Sequence, residues 1–142
     1  MNGIKLRGLG RCVPAQSVTN DDLAKTVDTS DAWITARTGI RSRRRCTEET
    51  HTELCVTAAR RALAQAGITP ADIGACIVAT VSADTIVPSA ACMLQRDLGM
   101  PEDTPCFDLN AACTGFIYAL HTMECLLNAA PRKFGLVVGA EA

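Results

Sequence analysis

The chain has 142 residues, 48% of them hydrophobic and 20% charged, with a net charge of −1. This length suits one compact unit with a real core, and the composition excludes a disordered chain. A near-neutral balance also excludes a general binder of nucleic acid or anionic membrane, so any anion recognition has to be local.

The first residues, MNGIKLRGLGRCV, place Lys5, Arg7 and Arg11 where a secretory signal needs its apolar region, so no such signal is expected. Residues 2–10 read as a first strand, closed by Gly8, Gly10 and Pro14. The segment 19-TNDDLAKTV-27 reads as a helix capped by Thr19 or Asn20, with acids in the first turn where the helix dipole favours them. A second short helix is expected after Ser30. The capping box 50-THTE-53 opens a longer helix. Leu54, Cys55, Ala58, Ala59, Ala62 and Ala66 recur along it at helical spacing until Gly67 stops the pattern.

The run 75-ACIVATVSA-83 is apolar on both faces, which predicts a strand inside a sheet. Pro88 suits the first turn of a helix reaching Leu98. Residues 105-PCFDL-109 read as a short central strand, and 113–130 as a helix with Phe116, Ile117, Leu120, Met123 and Leu127 inward. The run KFGLVVGA before Glu141 reads as a further strand. Strands alternate with helices, which predicts an α/β fold with a mainly parallel sheet and helices on both faces. No apolar run approaches the roughly 20 residues that cross a bilayer. The expectation is a soluble, cytoplasmic protein whose last strand stops abruptly at Ala142, as though the chain were cut.

Eight cysteines invite a disulfide reading, but disulfide scaffolds are loop-rich and this chain has helix and strand patterns throughout. Cys46, His51 and Cys55 fit no zinc spacing, so no metal is expected. In 110-NAACTGF-116, Cys113 follows a strand and begins a helix. A helix start stabilises a thiolate, and open α/β sheets bind ligands beyond the carboxyl ends of their strands. Ala111, Ala112 and Gly115 allow close approach. The residues alone leave open whether Cys113 is a nucleophile or a small apolar side chain.

For Cys12, Cys55, Cys76, Cys92, Cys106 and Cys125 the apolar reading prevails, with Cys46 in between. Neither histidine is a convincing base. His121 lies eight residues beyond Cys113, about 12 Å along a helix, and reads as a surface residue. His51 reads as an exposed residue of the capping box. Arg41, Arg43, Arg44 and Arg45 form the one basic patch, either a solvated face or a dock for phosphates or an acidic carrier. Trp33 alone favours packing over binding.

Four segments, 28-DTSDAWITARTGIRSRR-44, 88-PSAAC-92, 108-DLNAACTGF-116 and 136-LVVGAE-141, resemble β-ketoacyl-acyl-carrier-protein synthase III, the initiating condensing enzyme of bacterial fatty-acid synthesis. The resemblance implies a thiolase fold of two similar halves in a homodimer, with residues 1–142 as the amino-terminal half and the second half absent. It implies that Cys113 takes an acyl group from acyl-coenzyme A and passes it to malonyl-acyl carrier protein with loss of carbon dioxide. No cofactor is implied beyond acyl-coenzyme A as substrate. The family's catalytic histidine and asparagine belong to the second half, and the backbone N–H of Cys113 is the oxyanion donor this chain would supply. Thr29, Trp33 and Arg37 match residues at the coenzyme A entrance, whereas Arg43 stands where relatives commonly have glutamate. Val87 matches the floor of the acyl pocket at the dimer contact, and its small size implies room for primers longer than acetyl. Two other readings compete: an association partner with no catalysis of its own, and a thiol redox sensor built on Cys46 or Cys113.

Overall fold

The computed structural model describes residues 3–142. The chain divides into two compact units, one formed by Val13–Glu49 and the other by the residues up to Cys12 together with Thr50–Ala142.

The smaller unit contains β1 (Gln16–Thr19), α1 (Asn20–Ala24), α2 (Asp31–Thr38) and β2 (Ser42–Arg45). Thr19 is the α1 cap: its hydroxyl accepts from the Asp22 amide at 3.1 Å, and the Asp22 carboxylate accepts from the Thr19 amide at 3.1 Å. Lys25, bonded to Asp22 at 2.8 Å, and then Thr19 hold that carboxyl well below the usual range. Expected to reach Val27, the helix ends at Ala24, because the Thr26 and Val27 amides both turn back onto the Leu23 carbonyl. Ser30 caps α2 as its sequence position suggested, and Gly39 closes it at φ 72°.

β1 and β2 pair antiparallel, from Gln16 opposite Arg45 to Thr19 opposite Ser42. No strand pattern announces them, since β2 is three arginines and a serine. Their guanidinium groups are part of the explanation. Arg43 donates to the Val18 carbonyl at 3.3 Å and to Asn20 Oδ1 at 2.8 Å, while Arg44 donates to the carbonyls of Pro14 and Ala15 at 3.2 and 2.9 Å. Half of the basic patch is therefore stitching within this unit. Glu49 completes it, accepting from the amides of Ala15 at 2.8 Å and Thr47 at 3.1 Å.

The larger unit contains α3 (His51–Ala66), β3 (Ile73–Ala79), α4 (Ala90–Leu98), β4 (Cys106–Leu109), α5 (Gly115–Ala129) and β5 (Phe134–Gly139). The three strands are parallel in the order β4-β3-β5, so β3 is the middle strand and β4, expected to be central, lies at an edge. Every residue of β3 is buried. Ile73, Cys76 and Val78 face the layer of α3 and α4, and Ala75, Ile77 and Ala79 face α5. This is the predicted α/β sandwich with helices on both faces. The strand stops at Ala79, short of the expected Ala83, because beyond Thr80 the Val81 amide bonds the Glu141 carboxylate instead of a neighbouring strand.

Residues 3–10, the described part of the expected first strand, are not strand. They lie along α3, where the Leu9 amide donates to Gln65 at 2.5 Å and Arg61 donates to the Arg11 carbonyl at 2.6 Å. A Cβ on Gly8 or Gly10 would run into the carbonyl oxygens of Ala62 and Ala58 respectively. The two glycines therefore serve close packing against a row of alanines, not a turn.

The α5 contact row is Gly115, Ala119 and Met123, all buried at four-residue spacing. Phe116 and Ile117, expected inward, are 42% and 64% exposed. Ala119 lies among the small β3 residues Ala75 and Ala79, while Met123, inward as expected, fills the space over Gly135, which has no side chain. At the amino end of β3, Arg132 donates to the Ile73 carbonyl at 2.7 Å and pairs with Asp103 at 2.8 Å.

Candidate active site

Because β3, β4 and β5 are parallel, their carboxyl ends stop at one edge of the sheet. The Thr80 amide bonds the Leu109 carbonyl and the Ala140 amide bonds the Ala79 carbonyl, each at 3.2 Å, so the three exits are tied together. Cys113 leaves from this edge. It sits in a single 3₁₀ turn, Ala112–Thr114, that runs directly into α5. The Thr114 hydroxyl donates to the Ala111 carbonyl at 2.9 Å and fixes the turn.

Ala112 has φ 45°, the only non-glycine left-handed residue among those described. Such a conformation costs on the order of 1 kcal/mol or more and concentrates at functional sites. The reversal immediately precedes Cys113, which is exposed. Gly115 makes the reversal possible, since a Cβ there would already come within 3.3 Å of the Ala79 side chain. Phe116, Ile117 and Tyr118 follow on the exposed side of α5. Cys113 is not on the lining of the large cavity of about 720 Å³, which lies between the amino-terminal segment and α3, α5 and β5.

The structure corrects the reading of His51. It is 1% exposed, not a surface residue, because the first turn of α3 is drawn under the sheet edge by Asp84. That carboxylate accepts from the His51 amide at 3.0 Å and from the Thr52 amide and hydroxyl at 2.9 and 2.7 Å. Burial works against the Asp84 anion, but the bonds from Thr52 and His51 outweigh it and hold the carboxyl below its ordinary value. The His51 ring places Nε2 3.2 Å from the Ala140 carbonyl and 3.0 Å from the Thr80 hydroxyl, with Nδ1 3.7 Å from Cys55 Sγ. Nε2 thus sits between the Ala140 carbonyl and the Thr80 hydroxyl, and Nδ1 faces the Cys55 thiol. Burial pushes the Cys55 thiol up to about 12, which makes it inert.

His121 is exposed on α5 as expected, and among the described residues no side chain hydrogen-bonds Cys113. Cys76 is buried, Cys12, Cys46, Cys92 and Cys106 are half-buried, and Cys125 is exposed on α5, contrary to the apolar reading. Among the described residues no group of three or more His, Cys, Asp or Glu is placed to hold a metal.

In the smaller unit, Trp33 is 53% exposed, which rules out the core role its position suggested. Arg37, one turn on, lays its guanidinium 4.3 Å from the indole centre. Thr29 is half-buried directly before the α2 cap. Val87, in the larger unit, is 84% exposed on the connection between β3 and α4. Sequence reasoning missed Asp84, Asp108 and Glu141, polar residues that serve remote backbone amides. Asp108 caps α4 from β4, accepting from the Ala90 and Ala91 amides at 2.8 Å each. Only the apolar setting of Asp108 within a strand gave a signal.

The family profile of 3-oxoacyl-[acyl-carrier-protein (ACP)] synthase III matches residues 107–142, the segment carrying Cys113. The β-ketoacyl-[acyl-carrier-protein] synthase III of Clostridium acetobutylicum is 47% identical over 141 residues, 99% of this chain and 43% of the relative. The chain is a homologue of synthase III. It spans less than half the length of the curated synthases it matches, corresponding to their amino-terminal portion. The crystal structure of the Aquifex aeolicus synthase III superposes with a TM-score of 0.86 at 42% identity, covering 90% of this chain and 42% of that one. A priming β-ketosynthase from the R1128 polyketide pathway gives 0.89 at 34% identity, covering 95% and 40%. With these synthase structures as neighbours, the fold is thiolase-like.

Proposed function

We propose that residues 1–142 are the amino-terminal half of a decarboxylating condensing enzyme and carry its acyl-accepting thiol, Cys113. The observation that supports this most directly is the exposed Cys113 on a left-handed reversal at the carboxyl edge of a parallel sheet. The Cys113 thiolate attacks the thioester carbonyl of a short acyl-coenzyme A. The oxygen takes the negative charge, stabilised by the Cys113 backbone N–H. As the carbonyl re-forms, coenzyme A thiolate leaves and takes up the proton that Cys113 released. Malonyl-acyl carrier protein then loses carbon dioxide, its carbanion attacks the acyl carbonyl, and Cys113 is freed. Groups that promote the decarboxylation come from a second half.

In this reading Trp33 and Arg37 receive the adenine and phosphates of coenzyme A, with Thr29 beside them, and Val87 shapes the acyl pocket at the contact between two protomers of a cytoplasmic homodimer. Incubation with acetyl-coenzyme A followed by peptide mass spectrometry tests the first step. An acetyl group on Cys113, absent in Cys113→Ala, supports it, and an unmodified Cys113 in chain that binds coenzyme A overturns it. Full condensation by the 142 residues alone would contradict the proposed division between halves.

The apolar surface favours a second reading, a non-catalytic association partner. Ile86 is 94% exposed, and Val81, Val87, Ile117 and Tyr118 are each more than half exposed. Single exposed apolar side chains are normal, whereas a run of them marks an interface. A stable monomer on size-exclusion chromatography would count against it.

A further inference from the structure

Four of the eight cysteines converge on the layer between the sheet and its α3/α4 side: Cys55 and Cys76 lie within that core, Cys106 packs against it, and Cys92 reaches it from α4. Two are already committed. Cys55 faces the His51 ring, and the Cys92 thiol donates to the Cys106 carbonyl at 3.7 Å. The other two face each other. Cys76 on β3 and Cys106 on β4 are register partners on adjacent parallel strands, so their side chains leave the same face of the sheet side by side. Neighbouring strands stand about 4.8 Å apart. A disulfide spans Cα separations of roughly 4.4–6.8 Å, so the pair can close with little backbone movement.

We infer that Cys76 and Cys106 form a peroxide-sensitive dithiol that closes to a disulfide across β3 and β4. The two sulfurs have unequal roles. Cys106 is half-buried at the sheet edge and is the one an oxidant reaches, whereas Cys76 is 0% exposed. Side by side on the two strands, the thiols share one proton unequally: the Cys76 thiol holds Cys106 below the ordinary thiol range, while Cys106 and then burial hold Cys76 above it. A hydroperoxide, the oxidant named here, is attacked by the Cys106 thiolate. The O–O bond breaks, leaving a sulfenic acid on Cys106 and water or an alcohol. The Cys76 sulfur then attacks the Cys106 sulfur, the S–O bond breaks, and the departing hydroxide takes the Cys76 proton as water. One peroxide is reduced and two thiols are oxidised. The inference is independent of acyl transfer at Cys113 and locates oxidation away from both Cys46 and Cys113.

The test is graded hydrogen peroxide treatment of the whole chain. Free thiols are then blocked under denaturing conditions with iodoacetamide, and peptides are mapped without reduction. The expected product is a cross-linked peptide pair holding Cys76 and Cys106, lighter by two hydrogens than the separate peptides, in a monomeric chain. Its yield should fall at least tenfold in Cys106→Ser, which leaves Cys76 free to alkylate. Stepwise over-oxidation of Cys106 with Cys76 still alkylatable, or a Cys92–Cys106 link in its place, overturns the inference. The wild-type map decides the matter even if the variant fails to fold.

Discussion

Asn20 and Arg43 hold one another: Asn20 Oδ1 accepts from the Arg43 guanidinium at 2.8 Å, while the Asn20 amide donates to Asp31 at 2.7 Å and to the Ile40 carbonyl at 2.8 Å. One side chain, 1% exposed, thereby joins α1, α2 and β2. Asn20→Ala strands the Ile40 carbonyl and the guanidinium together, and loss of such buried bonds costs roughly 1–3 kcal/mol. Urea unfolding followed by Trp33 fluorescence reads this unit, since Trp33 is the one tryptophan of the chain. A loss below about 0.5 kcal/mol would mean that water replaces the amide without penalty.

Acid should loosen the same unit. Bonds from the Ala15 and then the Thr47 amide pull the Glu49 carboxyl from its ordinary 4.5 down to about 2. A depressed carboxyl contributes stability that is complete above the unfolded value and disappears as pH falls through the folded one. The Trp33 unfolding midpoint should therefore decline between about pH 4.5 and 2. Glu49→Gln should be less stable at neutral pH and should lose the part of the decline that belongs to this carboxyl. An identical pH profile in the variant would remove Glu49 from the explanation.

Gly10→Val should release the amino-terminal segment from α3, because any Cβ there meets the Ala58 carbonyl. Trypsin cleavage after Lys5, Arg7 and Arg11 is the readout. It should accelerate several-fold while the Trp33 signal stays unchanged. Equal cleavage rates would show that the backbone shifts to accommodate the side chain.

Ala112→Val should disturb the neighbouring Cys113 through the backbone. A β-branched residue at φ 45° is far more strained than alanine, at a cost on the order of 1–3 kcal/mol. The rate of Cys113 alkylation by iodoacetamide should change, whereas Ala112→Gly should preserve it. Unchanged alkylation in the valine variant would mean that the reversal does not govern the thiol.

The helix caps at Thr19, Ser30 and Thr50 were legible because each is a local contract between residues three apart. The buried run of β3 and the strand-to-helix position of Cys113 were legible for the same reason. What escaped was set by distant partners. Residues 3–10 have strand-like composition, but the fit of Gly8 and Gly10 against the alanines of α3 decides their path. His51 looked like a surface residue until Asp84, 33 positions away, drew it inside. On α5 the periodicity places Met123 inward correctly but not Phe116 and Ile117, since Ala119 takes the place against the alanines of β3. Trp33 is the reverse case, a large apolar side chain left in the open.

Arg132, clamping Ile73 and Asp103, sits at the opposite extremity of the strands from Cys113. The exposed Cys113 and the Arg132 anchor therefore occupy separate poles of the same sheet. A fluorophore or surface tether introduced beside Asp103 would leave the thiol pole unobstructed, which makes that corner the natural handle for immobilising or tracking the protein.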